Sequence, residues 1–244
     1  MELSPRLRSV AGLVPPGARF ADVGTDHAYL PVWLLQQGII EHALVSDLRP
    51  GPLDRARSTA ARYGLAERME FRLCDGLSGI APAEADTIAI AGMGGETIAA
   101  ILAAAPWVRE QGCLLLLQPM SAQSALRPWL QRQGYRIERE HLSREGDTLY
   151  TALQVRAGFM EALTPAEQWA GRQSRETADP LRLEYLTRLE ARAARAVTGL
   201  RRSTQASDAP RLEALEAVHR GLAKMREEWS TSVSYTHLTL PTIA

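Results

Sequence analysis

Arg19-Phe20-Ala21-Asp22-Val23-Gly24-Thr25-Asp26-His27-Ala28-Tyr29-Leu30-Pro31 decides the fold. A short apolar run reaches Gly24, carboxylates stand on both sides of that glycine, and a helical stretch with Leu30, Val32, Trp33, Leu34 and Leu35 follows. Strand, tight turn and helix form the repeating unit of a parallel sheet. The unit recurs along the chain. Strands are expected at 43–46, ending at Asp47, at 69–73, ending at Cys74-Asp75-Gly76, and at 87–91, running into Gly92-Met93-Gly94-Gly95. A fifth is expected at 113–117, running into Gln118-Pro119. Helices are expected at 3–13, 52–63, 96–105 and 122–132, with Pro15-Pro16-Gly17 and Pro106 as stops. Residues 135–142 and 148–155 read as two closing strands around the turn Glu145-Gly146-Asp147. The expected fold is α/β: a mostly parallel, seven-stranded sheet with helices on both faces and an antiparallel edge.

In such sheets ligands bind beyond the carboxyl ends of the strands. Here those ends carry Asp22, Gly24, Asp26 and His27, then Asp47, then Asp75 and Gly76, then Gly92, Met93 and Gly94. A loop that cradles a pyrophosphate uses several glycines so that backbone N–H groups face the anion. The first loop has one glycine and two acids, which repel a pyrophosphate. They suit a cofactor carrying an ammonium and a sulfonium, S-adenosylmethionine. Asp47 is placed to take ribose hydroxyls, and Asp75 to take an adenine amino group or to cap a helix. The glycine-rich end of the fourth strand leaves room for substrate or cofactor beside the backbone. Asp26 lies where the donor methyl is expected; His27 reads as a structural hydrogen-bonding residue more than a base.

After residue 156 strand signals stop. Leu181, Tyr185, Leu189, Ala193, Ala196 and Leu200 form one apolar stripe, and Leu212, Leu215, Val218, Leu222, Met225 and Trp229 a second, with a linker at 203–210. Together they predict an antiparallel helical hairpin of coiled-coil character. Three regions are expected: 1–156, 157–231 and a β-prone, nearly uncharged tail at 232–244 that reads as non-native and poorly ordered. Residues 172–202 hold eight Arg against four acids. That run is a solvated face or a phosphate-contacting arm; Arg192 and Arg195 within it, with Arg6 and Arg8 of the first helix, are the candidate RNA contacts.

Lys plus Arg and Asp plus Glu number 28 each, so net charge alone points to no nucleic acid. Cys74 and Cys113 read as free structural thiols. His42, His141 and His219 lack ligand spacing, so no metal site is expected. No apolar run approaches a membrane span, and the polar N-terminus is unlike a signal peptide. A cytoplasmic protein, favoured as a monomer, is expected.

The run Asp-Val-Gly-Thr-Asp-His-Ala-Tyr-Leu-Pro at 22–31, Asp-Gly-Leu at 75–77, Ala-Gly-Met-Gly-Gly at 91–95 and Leu-Gln-Pro at 117–119 closely resemble the bacterial tRNA (adenine-N1)-methyltransferases of the TrmK type. The resemblance covers residues 1–156; the helical hairpin matches in character. It implies a Rossmann-like class I methyltransferase domain, a C-terminal helical domain, S-adenosylmethionine as cofactor and tRNA as partner, with adenine 22 as target. By resemblance the cofactor residues are Asp22, Gly24, His27, Asp47, Asp75, Gly76, Gly92, Met93 and Gly94, and the catalytic residue is Asp26. Asp47 stands where the family often has Glu. A small-molecule methyltransferase and a non-catalytic cofactor- or RNA-binding protein stay open, with a nicotinamide oxidoreductase as a distant fourth.

Overall fold

The computed structural model describes residues 1–172, 179–202 and 208–236. It divides into two compact units, Met1–Glu161 and Ala162–Ala244. The first unit is built on seven strands: β1 (Phe20–Val23), β2 (Ala43–Asp47), β3 (Met69–Leu73), β4 (Thr87–Gly94), β5 (Leu114–Ser121), β6 (Tyr135–Glu145) and β7 (Thr148–Ala157). Their order is β3-β2-β1-β4-β5-β7-β6. The first five pair in parallel, and β7 runs antiparallel to both β5 and β6. The order reverses between β1 and β4, which opens a crevice above their carboxyl ends.

Side chains alternate across the strands and separate two apolar layers. Phe20, Val45, Ala89, Leu114 and Leu116 meet α1 (Pro5–Ala11), α2 (Tyr29–Gln36) and α3 (Pro50–Arg62) on one face. Ala21, Val23, Ile88, Ile90, Leu115 and Leu117 meet α4 (Gly95–Ala103), α5 (Trp107–Glu110) and α6 (Gln123–Arg132) on the other. Burial on both faces makes these strands nearly unbroken apolar runs, which is why they are legible in the sequence. Arg127 of α6 is a fully buried charge. It is matched by Glu140 of β6, which accepts from Nε at 3.0 Å and Nη2 at 2.8 Å.

Three segments differ from expectation. The first helix is shorter than 3–13, because Ser4 caps it and Pro5 fixes its first turn. Gly92–Gly94 is not a free loop: β4 continues through it with register shifts after Ala91 and after Met93. The closing hairpin is longer than read and turns at Gly146.

The second unit contains α7 (Pro165–Ala170), α8 (Arg182–Arg201) and α9 (Ala209–Thr236). The short α7 was not anticipated; Thr164 and Glu167 close a capping box on it. Ion pairs Glu190–Arg226 at 2.5 Å and Arg201–Glu216 at 2.7 Å pair the later residue of α8 with the earlier residue of α9, so the two run antiparallel. Val218, Leu222 and Trp229 of the expected stripe are buried. On α8 the buried residues are Arg182, Tyr185, Leu186, Ala193 and Val197, so Tyr185 and Ala193 of the expected stripe are buried and its other members are replaced by neighbours. Arg182 donates to the carbonyls of Ala170 (2.6 Å) and Gly171 (2.9 Å) at the end of α7. Helix α9 runs through Thr236, so 232–236 of the expected tail are helical, and 237–244 lie outside the described residues. Among the described residues no helix is long and apolar enough to cross a membrane.

Candidate active site

The carboxyl ends of β1 and β2 are stitched together. The backbone N–H groups of Gly24 and Thr25 both donate to the carbonyl of Ser46, at 2.8 and 3.2 Å, and Cys74 N–H donates to Asp47 O at 3.1 Å. The chain can make the first bend because Gly24 sits at φ +75°. A Cβ there would stand 1.8 Å from the Cε methyl of Met93, so the glycine also makes room for that side chain.

Beyond this edge lies a cavity of about 480 Å³, of the size that holds small molecules. Gly24, Asp47, Asp75, Gly76, Met93 and Gly94 line it, six of the nine residues expected at the cofactor. Leu48, Leu77, Thr97 and Ile101 complete much of its apolar wall, and Leu48 is 64% exposed. These were missed. The positions just after Asp47 and Asp75 offered a signal, while Thr97 and Ile101 on α4 offered none.

The acids differ in environment. Asp47 is nearly buried, and its Oδ1 accepts from the N–H of Arg49 at 2.8 Å. Asp75 is exposed in a turn, not at a helix start, so the capping alternative for it falls away. Asp22 lies beneath the loop, buried. Burial pushes its carboxyl up to about 6, a hydrogen bond from Thr25 pulls the other way, and the charge of Asp47 adds to the rise. Thr25 in turn accepts from the N–H of Ala28 at 3.0 Å and so ties Asp22 to the start of α2. Among the described residues no cation pairs with Asp22. A buried acid without a cation, two further acids and an apolar wall fit a flat, positively charged nucleoside such as S-adenosylmethionine.

Asp22, Asp26, His27 and Gly92 do not line the cavity. Asp26 is exposed, and its Oδ1 takes both Nε (2.9 Å) and Nη2 of Arg55 from α3. Its Oδ2 lies 3.5 Å from His27 Nε2. The His27 ring stacks on Tyr29 at 5.0 Å between centroids and 5° between planes. Arg55 is a partner that the sequence reading lacked, 29 residues away. Gly92 is held by Gln118, whose Oε1 accepts its N–H at 3.1 Å. Gly95 begins α4 where a Cβ would meet Ala122 O at 2.7 Å, so here a glycine serves close packing rather than flexibility.

The four candidate RNA contacts fall in different settings. Arg6 points inward: Nη1 donates to Gln118 Oε1 at 2.7 Å, and the guanidinium lies 5.8 Å from the Tyr150 ring. Arg8 is exposed on α1. Arg192 is exposed on α8 with its guanidinium 5.4 Å from the Trp169 ring centroid, and Arg195 is exposed one turn on. Among the described residues no group of three or more His, Cys, Asp or Glu could hold a metal ion. Cys74 and Cys113 are free thiols.

Residues 3–153 match the model of a methyltransferase domain family. The tRNA (adenine(22)-N(1))-methyltransferase of Bacillus subtilis is 36% identical over 162 residues, 66% of this chain and 68% of that protein. The crystal structure of the B. subtilis m1A22 tRNA methyltransferase TrmK superposes with a TM-score of 0.81 at 28% identity, over 92% of this chain and 99% of that one. A Streptococcus pneumoniae protein assigned as a tRNA (m1A22) methyltransferase, solved in complex with S-adenosyl-L-methionine, gives 0.76 at 30% identity, over 89% of this chain and 100% of that one. The acids and glycines at the strand ends are thus those of a methyltransferase domain, and this chain belongs to the tRNA (adenine(22)-N(1))-methyltransferase family.

Proposed function

We propose that this chain methylates N1 of adenine 22 in tRNA, with S-adenosylmethionine as donor and Asp26 as the residue that addresses the base. The observation that carries the reading is the set of acids at the carboxyl ends of β1, β2 and β3: Asp22 buried with no cation partner among the described residues, and Asp47 and Asp75 on the wall of one cavity. In this reading Asp47 holds the ribose hydroxyls, Asp75 the adenine amino group of the cofactor, and Asp22 attracts its ammonium through the Gly24 turn. Leu48 and Ile101 supply apolar surface for the adenine ring. Gly76, Gly92, Met93 and Gly94 shape the backbone around the methionine part, and His27 holds the loop.

The cofactor supplies a sulfonium methyl, which a ring nitrogen with a free lone pair can take without a covalent enzyme intermediate. Positioning and charge placement therefore carry the acceleration. Arg55 fixes one oxygen of Asp26 and leaves Oδ2 toward His27 and solvent. That oxygen accepts a hydrogen bond from the amino group of the target adenine, raises electron density at N1 and favours the cationic product. N1 lies on the Watson–Crick edge, so a paired adenine must leave its stack first. Arg8, Arg192 and Arg195 contact phosphates of the tRNA, and Arg6 lies closer to the reacting end. The reaction needs no metal, and the enzyme is a cytoplasmic monomer with regions 1–156 and 157–231 as its functional parts.

The test is incubation with S-adenosylmethionine and unmodified tRNA, then digestion and mass spectrometry for 1-methyladenosine, beside Asp26→Ala. Methylation at one adenine, lost in the variant, is expected. Cofactor binding with methyl transfer to a small molecule, or with no transfer at all, overturns the reading.

A further inference from the structure

The parallel ladder between β4 and β5 runs regularly from Thr87 and Leu114 to Ala91 and Gln118, then jumps to Met93 and Pro119. The jump drops Gly92 out of the ladder, at φ +83°. A residue bulged from a sheet loses the carbonyl that its N–H would have met, and a part-buried N–H needs a replacement. Gln118 provides it through its side chain, with Oε1 3.1 Å from Gly92 N. That side chain is itself fully buried. The same oxygen accepts from Arg6 Nη1 at 2.7 Å, across 112 residues of sequence.

Arg6 is in turn set by the closing hairpin, with its guanidinium 5.8 Å from the Tyr150 ring and Nε 3.9 Å from Glu145. Two segments remote in sequence, α1 and the end of β4, thus converge on one amide oxygen of β5, and the β6–β7 hairpin flanks the arginine that reaches it. An amide oxygen has two lone pairs, and both are used. Met93 and Gly94, the next residues after the bulge, line the cavity, and Met93 lies against Gly24.

We propose that Gln118, pinned by Arg6, is a positioning residue for methyl transfer: it fixes the bulge at Gly92 and, through it, the placement of Met93 and Gly94 against the cofactor. Arg6 then acts from inside the catalytic unit and not as a phosphate contact. The proposal rests on the reading of the cavity as the cofactor site, but not on the identity of the nucleic acid. Cofactor affinity is therefore one of its readouts and needs no tRNA.

The test compares the full chain with Gln118→Leu, Gln118→Glu, Arg6→Gln and the double variant Arg6→Gln/Gln118→Leu. Calorimetry gives the affinity for S-adenosylmethionine, turnover gives kcat and the KM for tRNA, and thermal melting gives stability. Leaving a part-buried N–H without its partner predicts a loss of about 2- to 10-fold, here divided between cofactor affinity and kcat. The KM for tRNA should stay within about twofold and its salt dependence unchanged. Gln118→Glu keeps the oxygen and adds charge facing Arg6, so it should recover most of the loss. The double variant should match Gln118→Leu, because both changes break one unit. The proposal is overturned if Gln118→Glu fails as badly as Gln118→Leu, or if the Arg6 and Gln118 losses multiply. It is also overturned if cofactor affinity and kcat are unchanged while only the melting temperature falls. Should Gln118→Leu not fold, Gln118→Glu and Arg6→Gln still decide: a loss in Arg6→Gln confined to tRNA affinity and its salt slope returns Arg6 to a phosphate contact.

Discussion

Asp22→Asn separates two consequences of one buried carboxylate. Asp22 is 6% exposed, and its pKa is raised from 3.8 to about 6, chiefly by burial. An acid with a folded value above its unfolded value holds its proton more tightly in the native state. The native chain then binds more protons than the unfolded chain across that interval, and stability falls as pH rises from about 4 to about 6. The whole displacement corresponds to about 3 kcal/mol, of which roughly 1 kcal/mol develops between about pH 5 and about pH 7. Asn keeps an acceptor for the Thr25 hydroxyl but has no proton to lose. Urea unfolding of both proteins should therefore show the variant gaining roughly 1 kcal/mol on the wild type over that pH step.

The same substitution should act oppositely on the cofactor. If the ionised carboxylate attracts an ammonium, wild-type affinity for S-adenosylmethionine should rise about tenfold over the same step as Asp22 ionises. The Asn variant should bind weakly and without that pH dependence. A stability difference that stays constant with pH refutes the burial argument. Wild-type affinity in the variant refutes the ammonium contact, whatever the stability does.

Other perturbations follow from the same geometry. Arg55→Gln frees Oδ1 of Asp26; kcat should fall several-fold with little change in cofactor affinity, and Asp26→Asn in the same background should add less than it does alone. Gly24→Ala must hold φ +75° and displace the Met93 methyl, for a loss of about 1–2 kcal/mol in melting experiments together with weaker cofactor binding. Arg127→Ala leaves Glu140 without its buried partner and should destabilise the chain by about 3–5 kcal/mol in chemical denaturation. Charge reversal at Arg192 and Arg195 should weaken tRNA binding and lower its salt slope by about 2, while cofactor affinity measured by calorimetry stays the same.

The parts of this molecule that could be read from sequence are those whose cause is local. Strands β1, β2, β4 and β5 are covered on both faces, so they announce themselves as apolar runs, and Asp22 and Asp47 stand at the ends of β1 and β2, with Asp75 just beyond the less buried β3. The stripe on α9 was legible because Val218, Leu222 and Trp229, at helical spacing, are buried. Where a residue's role depends on a partner far along the chain, the pattern gave nothing. Arg6 read as a surface cation and Gln118 as part of a motif, and only the fold brings them within 2.7 Å. Arg182 read as one of eight basic residues on an arm, yet its side chain closes α7 from the interior. Gly221 carried no signal in the sequence; a Cβ there would meet the Cβ of Ala166 at 2.5 Å, so it lets α7 and α9 touch.

The glycine-rich end of β4 shows why composition alone misleads at such sites. Three glycines close together suggested room for a ligand beside the backbone, and each also answers a different constraint. Gly92 carries a positive φ and presents its N–H to Gln118, a Cβ at Gly94 would crowd the Ser121 hydroxyl at 3.1 Å, and Gly95 clears the backbone of Ala122. A mobile loop would leave Met93 free to sample the cavity, whereas a bulge held from both sides gives it one position against Gly24. Rigid placement of the groups around a transferred methyl is what a reaction without a covalent intermediate requires. On the proposed reading, the residues that supply the rigidity are as much part of the catalytic design as the acids assigned to the ligand.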